Sequence, residues 1–286
     1  MPNRKYVSEF ALNMIGTHRS LLQQKDLQWF IDSGIEEEYP SHIYMITRHP
    51  RICIDDKSVK VSKDIIEMCF KIQRQDTFEF QKYKFHNEFG TDEIEFQCPY
   101  PHSEFIFYTK QHEKIFYGKS ALLWAFIKND FKLEVLYIGQ SYGKQGERTA
   151  PNRLLCHSTL QSIYADSICS HPDKEIWIIL WHFEPLTICS FDGRHKVYEA
   201  TFEQDKEHMY TVLNKLITEQ QMINFTEAAL IKYFKPFYND KFKYNFPNQA
   251  HKTYAECYDI DLNAVIVELQ TDEVFCKLWS EGVESN

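Results

Sequence analysis

Residues 133–141 read LEVLYIGQS, and this stretch decides how the rest of the chain is interpreted. Its apolar part predicts a strand that ends at Gly139, where a residue without a Cβ permits a tight turn or close backbone approach. Before it, residues 121–128 (ALLWAFIK) predict another strand and residues 129–132 (NDFK) a turn. Together these segments predict an antiparallel hairpin.

The segment after the hairpin adds one strand and three helices. Residues 151–165 predict a helix, and residues 174–183 (KEIWIILWHF) predict a largely buried strand. Further helices are predicted at about 205–220 and at 227–234, the latter capped by Asn224 or Thr226 and stopped by Pro236. This order predicts a small three-stranded antiparallel sheet flanked by helices.

The remaining segments also mix element types. Helical spacing is seen at residues 8–22 and 63–72, and strand patterns are seen at residues 42–47 (HIYMIT), 77–85, 93–97 and 263–269. We therefore predict an α+β protein with an N-terminal α+β domain of unknown role at 1–111. The hairpin-containing domain spans 112–250, and a strand with an acidic tail spans 251–286.

Composition predicts a folded, cytoplasmic protein. Hydrophobic residues make up 43% of the chain, enough to bury a substantial core. The longest apolar stretch, residues 176–183, is far shorter than the roughly 20 residues needed to span a bilayer, and no secretory signal is recognisable at the N-terminus. Eight scattered cysteines without a CxxC pair indicate reduced, mostly buried thiols rather than disulfides or a zinc site.

The charge is unevenly distributed along the chain. The formal net charge is −9, but residues 110–160 carry eight Lys and Arg against four acids. A second basic run follows Glu227 and contains Lys232, Lys235, Lys241 and Lys243. A local basic surface on an acidic protein suits an anionic ligand bound at one place, and the alternative is a solvated face without such a role.

Individually, the candidate functional residues have structural and functional interpretations. Arg153 and His157 are four positions apart, which on a helix places a phosphate-binding and a proton-transfer group on one face. Glu227 either complements the dipole at the start of its helix or binds a hard divalent cation. Tyr137 could simply pack in a strand, and Asn239 could belong to a turn.

Together, three segments resemble the GIY-YIG nuclease superfamily, in particular its restriction-enzyme-like branches. They are LYIGQS (136–141), RLLCH (153–157) and EAALIKYFKPFYN (227–239), in the family's order and over about 120 residues. The predicted element order also matches that of the family's domain. The resemblance implies a metal-dependent endonuclease that hydrolyses phosphodiester bonds.

The same resemblance implies roles for individual residues. Glu227 would hold one Mg²⁺ or Mn²⁺ ion and Arg153 would stabilise charge on the phosphorane. Asn239 would support the metal site or the substrate backbone. Counting back along the predicted hairpin, the family's first tyrosine falls near Trp124, which cannot take a proton; Tyr117 is a substitute in a nearby segment.

Water activation falls to His157 or Tyr137. A free imidazole has a pKa of about 6.5 and a free phenol about 10, so we favour His157 as the base and assign Tyr137 to orienting the water.

Six residues are predicted to contact nucleic acid, namely Lys144, Arg148, Lys232, Lys235, Lys241 and Lys243.

We expect DNA as the partner, with RNA as an alternative, no membrane association, and an undetermined oligomeric state that could be a homodimer. Two other functions stay open. One is a nucleic-acid-binding module that kept the scaffold and lost cleavage, prompted by the missing first tyrosine. The other is a protein-interaction scaffold. Residues 1–110 and the tail are expected to select the target or mediate dimerisation.

Overall fold

A computed structural model describes residues 5–143, 146–191, 198–215, 217–248 and 255–283 of the 286-residue chain. The strands within this part are β1 (Ser8–Leu22), β2 (Ile43–Pro50), β3 (Ile52–Ile54), β4 (Lys60–Val61), β5 (Ile65–Arg74), β6 (Thr77–His86), β7 (Ile94–Gln97), β8 (Glu104–Thr109), β9 (Lys114–Lys119), β10 (Phe131–Gln140), β11 (Lys174–Phe191), β12 (Ala264–Leu269) and β13 (Cys276–Trp279). The helices are α1 (Leu27–Asp32), α2 (Ile35–Glu38), α3 (Ser120–Lys128), α4 (Ala150–Leu154), α5 (Ser158–Ser170), α6 (Phe202–Asn214), α7 (Glu219–Phe234) and α8 (Ala255–Asp259).

A six-stranded mixed sheet forms the centre of the fold, in the order β12-β1-β11-β2-β10-β13. Its four inner strands are antiparallel to their inner neighbours, whereas β12 and β13 are parallel additions at the two edges. The β3–β9 segment, which lies between β2 and β10 in sequence, forms two smaller sheets. One is β3-β5-β4 with β6 on β5, and the other is β7-β8-β9.

Both faces of the central sheet are covered. Ile43 and Met45 of β2 point to the face that packs against α3 and α7, whereas Tyr44 and Ile46 point to the face that packs against α1, α4 and α5. A strand buried on both sides needs apolar residues at every position. This explains the uninterrupted apolar run at residues 176–181, all of which are buried.

The α+β class is confirmed, as are most of the predicted strands. Strands were predicted correctly at 42–47, 77–85, 93–97, 133–138, 174–183 and 263–269, which correspond to β2, β6, β7, β10, β11 and β12. The helices predicted at 8–22 and 63–72 are wrong, because these segments are strands β1 and β5. Their buried residues recur with a period of two, as at Phe10, Leu12 and Met14 and at Ile66, Met68, Phe70 and Ile72.

The predicted hairpin is also wrong. Residues 121–128 lie in helix α3, where Ala121, Trp124 and Ala125 bury one face and Phe126 is 62% exposed on the other. A short apolar run does not distinguish a buried strand from a helix. The antiparallel neighbour of β10 is β2, more than 80 residues earlier in the chain.

The predicted helices after β10 exist with different limits. The helix predicted at 151–165 is two helices, α4 and α5, separated by residues 155–157. The helix predicted at 205–220 is α6, which ends at Asn214. The helix predicted at 227–234 is α7, which begins at Glu219 with Thr218 as its N-cap, so Asn224 and Thr226 are interior residues rather than caps.

The central sheet contains strands from both sides of the predicted domain boundary between residues 111 and 112. Strands β1 and β2 come from the predicted N-terminal domain, yet they lie between strands of the predicted nuclease domain. Strand β12, from the predicted C-terminal piece, also pairs with β1. A truncation from residue 112 would therefore remove the middle of the sheet. No described helix has both the length and the apolar character needed to cross a membrane.

Candidate active site

A pair of tyrosines lies where β2 and β10 run side by side. In the register of these strands Tyr44 is opposite Gly139, and Tyr137 is opposite Ile46. The rings of Tyr44 and Tyr137 have centroids 6.2 Å apart. Tyr44 is fully buried, whereas Tyr137 is partly exposed. Tyr44 therefore lies beside Tyr137, where the sequence interpretation expected Trp124 or Tyr117.

Neither of the residues predicted for the first-motif position lies in this cluster. The Trp124 indole donates a hydrogen bond from Nε1 to Gln81 over 3.2 Å, on the opposite face of the sheet. Tyr117 belongs to the separate three-stranded sheet, where burial and a hydrogen bond to Glu104 raise the pKa of its phenol. The phenol that does lie beside Tyr137 is that of Tyr44, in the tripeptide His42-Ile43-Tyr44 on a strand that is distant in sequence.

Gly139 allows the two tyrosines to meet. A Cβ at this position would lie 2.5 Å from Tyr44 Cζ and 2.8 Å from Tyr137 Cε1, with Tyr44 Oη nearer still. Because the Tyr44 ring is fully buried, it has no free space into which to move. The need for glycine here arises from close packing of the phenol against the strand and not from an unusual backbone angle.

Gly139→Ala is expected to destabilise the protein by about 1–3 kcal/mol, because overpacking forces rings or strands apart. The measurement is the free energy of unfolding in urea. Gly282→Ala is the matched control, since a Cβ at Gly282 meets its nearest atom at 3.7 Å and should change stability little. Equal stabilities of the two variants would show that Gly139 does not seat Tyr44.

His157 lies behind Tyr44 and caps helix α5. Its Nδ1 accepts a hydrogen bond from the Leu160 backbone N–H over 3.2 Å, and its Nε2 is 3.2 Å from Tyr44 Oη. Burial and the charges of Arg153 and Arg148 lower the pKa of His157 to about 4, so the ring is neutral near pH 7. With Nδ1 accepting, the single proton of the neutral ring is assigned to Nε2, which donates to Tyr44.

The Tyr44 and Tyr137 phenols also influence each other. Burial and then the neighbouring Tyr137 raise the pKa of Tyr44 far above its ordinary value. Burial and the Glu227 charge raise the pKa of Tyr137 as well, and the Arg153 charge and the contact with Tyr44 oppose them. Of the two phenols, Tyr137 is the partly exposed one, which solvent and a ligand can reach.

Arg153 comes to this cluster on the short helix α4. The helix is anchored by a hydrogen bond from Ala150 N–H to the Ser41 carbonyl, 2.7 Å long, and by the fully buried Leu154. Arg153 lowers the pKa of both Tyr44 and Tyr137, which places its charge near the two phenols. Within the described residues its guanidinium has no side-chain hydrogen bond or ion pair, so its five N–H groups are available to a ligand.

Glu227 reaches the same place from α7, as the ninth residue of that helix. The helix-dipole interpretation does not apply to it, because that effect falls off within the first turn. Burial raises the pKa of Glu227 to about 7, against opposing contributions from a Gln140 hydrogen bond and from the charges of Arg153 and Lys241. Gln140, the last residue of β10, also donates to Asn224 Oδ1 over 2.5 Å and so links α7 to the end of the strand.

Asn239 holds the strand that carries Tyr137. Its Oδ1 accepts from the Ile138 N–H at 2.9 Å, and its Nδ2 donates to the Ile138 carbonyl at 2.8 Å. With both ends of the amide used and the side chain buried, Asn239 positions β10. Its polar groups are therefore not directed to a metal or to substrate. The sequence interpretation had assigned them to one of these two roles.

The predicted basic residues differ in how close they come to the cluster. Arg148 and Lys241 are exposed, and their charges act on His157 and Glu227 respectively. Lys235 lies over the Tyr244 ring, and Lys243 donates to the Phe237 carbonyl at 3.1 Å. Lys232 is partly buried on α7, and Lys144 lies outside the described residues.

The residues present fit one hard divalent cation rather than a preformed metal cage. Among the described residues, no group of three or more His, Cys, Asp or Glu side chains could hold a metal. Glu227 is nevertheless a partly buried carboxylate for which no described Lys or Arg provides an ion pair, and burial raises the cost of its charge. A Mg²⁺ or Mn²⁺ ion held by one carboxylate, waters and substrate phosphate would supply the missing positive charge.

Comparisons of the chain with family models, with curated proteins and with solved structures found no match.

Proposed function

We propose that this chain is a metal-dependent DNA endonuclease. The observation that carries the proposal is the convergence of Tyr44, Tyr137, Arg153 and Glu227, from β2, β10, α4 and α7, at one end of the central sheet. Two phenols, a guanidinium and a carboxylate without an ion pair among the described residues form a group suited to phosphodiester hydrolysis. Packing alone would not require these four residue types together.

Arg153 would bind the scissile phosphate. Its planar guanidinium can donate to two phosphoryl oxygens at once and so stabilises the charge that develops on the phosphorane. When bound at Glu227, the divalent ion supplies Lewis-acid stabilisation of the same charge. The exposed guanidinium of Arg148 and the exposed ammonium of Lys241, whose charges act on His157 and Glu227, would hold flanking phosphates.

Tyr137 is favoured over His157 as the group that removes a proton from the attacking water. The His157 Nδ1 lone pair is used by the Leu160 N–H and its Nε2 proton is directed to Tyr44, so the neutral ring has no free acceptor. Tyr137 is instead partly exposed, and the Arg153 charge and the contact with Tyr44 lower its pKa against the larger effects of burial and the Glu227 charge. A cation at Glu227 would also cancel the one charge that opposes the phenolate.

The inactive-module alternative loses its main motivation. It was prompted by the lack of a first tyrosine near Trp124, and Tyr44 supplies that phenol from β2. The protein-scaffold alternative is not favoured by any described feature of the cluster. It would be preferred if neither DNA nor RNA bound at low salt.

Arg153→Ala is expected to slow cleavage by about 10²–10³, the usual cost of removing one preorganised donor. Arg153→Lys, which keeps the charge and loses the planar fork, should fall between this variant and the wild type. The measurement is the single-turnover rate on supercoiled plasmid and on circular single-stranded DNA and RNA with Mg²⁺ or Mn²⁺.

The matched control for the arginine is Arg148→Ala. It should weaken DNA binding and leave the saturated rate within about threefold of wild type, since this exposed cation contacts phosphate away from the reacting bond. Equal losses for the two variants would remove Arg153 from the reaction and reduce it to a general phosphate contact.

A further inference from the structure

Strand β6 presents two aromatic rings to solvent. Phe78 is 48% exposed and Phe80 is 59% exposed. Among the described strands β6 pairs only with β5, so its other edge is open. Large apolar side chains held next to each other in water mark a surface that a ligand or partner covers. None of the roles proposed above uses this strand.

The two rings lie on the outer face of the sheet formed by β3, β4, β5 and β6. Phe78 is opposite Gln73 of β5, and Phe80 is opposite Lys71. The alternate residues of β5 (Ile66, Met68, Phe70 and Ile72) belong to the hydrophobic core, so the residues between them face away from it. The inner face of β6 packs on α3, where Gln81 accepts a hydrogen bond from the Trp124 indole over 3.2 Å. The outer face is therefore the side that a ligand can reach.

Lysines surround the two rings on this outer face. Lys82 and Lys84 follow Phe80 at every second position of β6, Lys71 is opposite Phe80, and Lys60 of β4 is opposite Glu67 of β5. The acids beside them are Glu67, 2.5 Å from Lys84, and Asp55, 3.7 Å from Lys71. Lys82 is exposed and forms no ion pair with any described residue. Four lysines against two acids make this face locally positive on a chain with a net charge of −9, which suits an anionic polymer.

The spacing of the rings favours a strand whose bases are separated. Residues two apart on a β-strand are about 6.6–6.8 Å apart along its axis. Neighbouring bases of a DNA duplex are only about 3.4 Å apart. Two neighbouring bases therefore cannot each lie on a ring and still stack on one another. An extended single strand can separate its bases in this way, and its phosphates can then contact the lysines.

A second copy of the chain suits this face less well. Two copies brought together through β6 would place lysines of the same sign close to one another, which is unfavourable. Lysines on an edge strand also protect it against pairing with another chain. That protective role does not explain two exposed phenylalanine rings between the lysines, whereas stacking of bases does.

We propose that the outer face of β6 binds a single-stranded segment of DNA, with one base stacked on Phe78, one on Phe80, and the adjoining phosphates held by Lys71 and Lys82. The choice of DNA over RNA rests on the function proposed above, whereas the binding face itself does not. Stacking on aromatic rings tolerates any base, so this face would hold DNA without reading its sequence. The substrate class that follows is DNA with a single-stranded stretch.

The test uses the full chain in EDTA, where metal-dependent cleavage is prevented. The probes are two DNA single strands of equal length and charge, one with mixed bases and one with abasic residues throughout. The measured quantity is the dissociation constant of the abasic probe divided by that of the base-bearing probe. Stacking of one base is worth about fivefold or more, so two rings should give wild type a ratio of about 25 or more. Because both probes carry the same phosphates, general charge attraction cancels in this ratio.

Variants of the two rings assign the preference to β6. The double variant Phe78→Ala/Phe80→Ala should lower the ratio about 25-fold, and Phe78→Trp/Phe80→Trp should keep it, because an indole also stacks on bases. Phe202→Ala is the matched control, since this ring is 78% exposed at the start of α6, and it should leave the ratio unchanged.

The lysine contribution is measured separately through the salt dependence of binding. Lys82→Ala should weaken both probes alike, leave their ratio unchanged, and reduce the slope of log affinity against log salt by about 0.7, the value for one phosphate contact on a single strand. An unchanged slope would remove Lys82 from the phosphate contacts.

Three results would overturn the proposal. The first is a wild-type ratio of one, or a wild-type ratio that the double alanine variant keeps. The second is a wild-type dimer that the double variant converts to a monomer with no change in the ratio, which would assign the face to a second copy. The third is a larger phenylalanine-dependent ratio with matched RNA probes, which would assign the face to RNA.

The binding face and the nuclease proposal fail in different ways. If wild type cuts DNA with Mg²⁺ and the double alanine variant keeps the full base preference, the β6 assignment is wrong and the nuclease proposal stands. If wild type cuts no DNA with any divalent ion and the double variant loses the preference, the nuclease proposal is wrong and the β6 assignment stands.

Discussion

Glu227→Gln is expected to reduce metal-dependent DNA cleavage by on the order of a thousandfold and to leave DNA binding in EDTA unchanged. Metal stabilisation of the developing charge is worth several kcal/mol, and each 1.36 kcal/mol changes the rate tenfold. Glutamine keeps the size of the side chain and removes the charge that would hold the ion. The measurement is the single-turnover rate at saturating protein, with binding followed separately by fluorescence anisotropy.

Glu175→Gln is the matched control for this variant. Burial raises the pKa of Glu175 as it does that of Glu227, but Glu175 lies opposite His49, at the other end of β2 from Tyr44. Its Oε2 accepts from Gln23 Nε2 at 3.0 Å, an amide contact that glutamine can partly reproduce. Cleavage by Glu175→Gln should match that of wild type. A similar loss in both variants would mean that burying any carboxylate matters and that Glu227 has no special role.

Glu227→Gln should not weaken the fold. The folded pKa of Glu227, about 7, is above its ordinary value of 4.5, so folding disfavours the ionised form. That destabilisation is absent below about pH 4.5, grows as the pH rises, and is complete above about pH 7. In EDTA, Glu227→Gln should therefore melt at or above the wild-type temperature, with a larger difference at about pH 8 than at about pH 5. A lower melting temperature at alkaline pH would contradict the account of an uncompensated carboxylate.

Tyr137→Phe is the second substitution with a large expected effect, a loss of about 10²–10⁴ in the single-turnover rate, the range for a general base. His157→Asn should lose less than about tenfold, because asparagine is also a favourable N-cap and can replace the contact to the Leu160 N–H. Tyr44→Phe should fall between them, since it removes a hydroxyl that lowers the pKa of Tyr137. Comparing the rates of the three variants separates a role in proton transfer, expected for Tyr137, from support of helix α5, expected for His157.

The pH profile distinguishes the two candidate bases independently. A base must be unprotonated, so the rate follows the deprotonated fraction and rises with pH up to the pKa. Ionisation of Glu227, whose pKa is about 7, raises the rate up to about pH 7 with either base. With a His157 pKa of about 4, an imidazole base would give a profile that is flat above about pH 8. A Tyr137 base should give a rate that continues to rise about tenfold per pH unit above about pH 8. A flat profile, or a complete loss of cleavage in His157→Asn, would return the role of base to His157.

The features predicted correctly from sequence are those carried by short, local patterns. Tyr137 and Gly139 were found because a strand ends at a glycine, and Glu227 was noticed as an isolated acid on an apolar helix. The side chains of Tyr137 and Glu227 do reach one cluster. The choice between the dipole and ligand interpretations of Glu227 needed the start of α7 at Glu219, which the sequence pattern placed eight residues too late.

Tyr44 was missed because the site depends on a long-range strand pairing. The strand at 42–47 was predicted, and the tripeptide His42-Ile43-Tyr44 at its start was a visible signal. However, residues 51–130 separate it from β10, and the apolar run at 121–128 offered a nearer partner. Propensity and spacing do not report which strands pair when two small sheets are inserted between them. The neighbour of Tyr137 was thus mispredicted because the strand pairing was mispredicted.

Arg153 and His157 were predicted to lie near each other, but the helical geometry on which that prediction rested is wrong. Their spacing was interpreted as one face of a continuous helix, but the helix breaks between them and His157 begins the next one. They still act on a common place, since the Arg153 charge lowers the pKa of His157. What the spacing could not indicate is that both nitrogens of the imidazole are occupied.

The most direct test of the central claim is the nicking of supercoiled plasmid by the purified wild-type chain, compared with Glu227→Gln prepared in the same way. The account predicts open-circular product with Mn²⁺ or Mg²⁺, none in EDTA, and almost none from the variant even though it still binds the plasmid. The contradictory result is equal nicking by both proteins, or intact plasmid with wild type under every divalent ion tried. Either outcome would mean that Tyr44, Tyr137, Arg153 and Glu227 share a location without sharing a reaction.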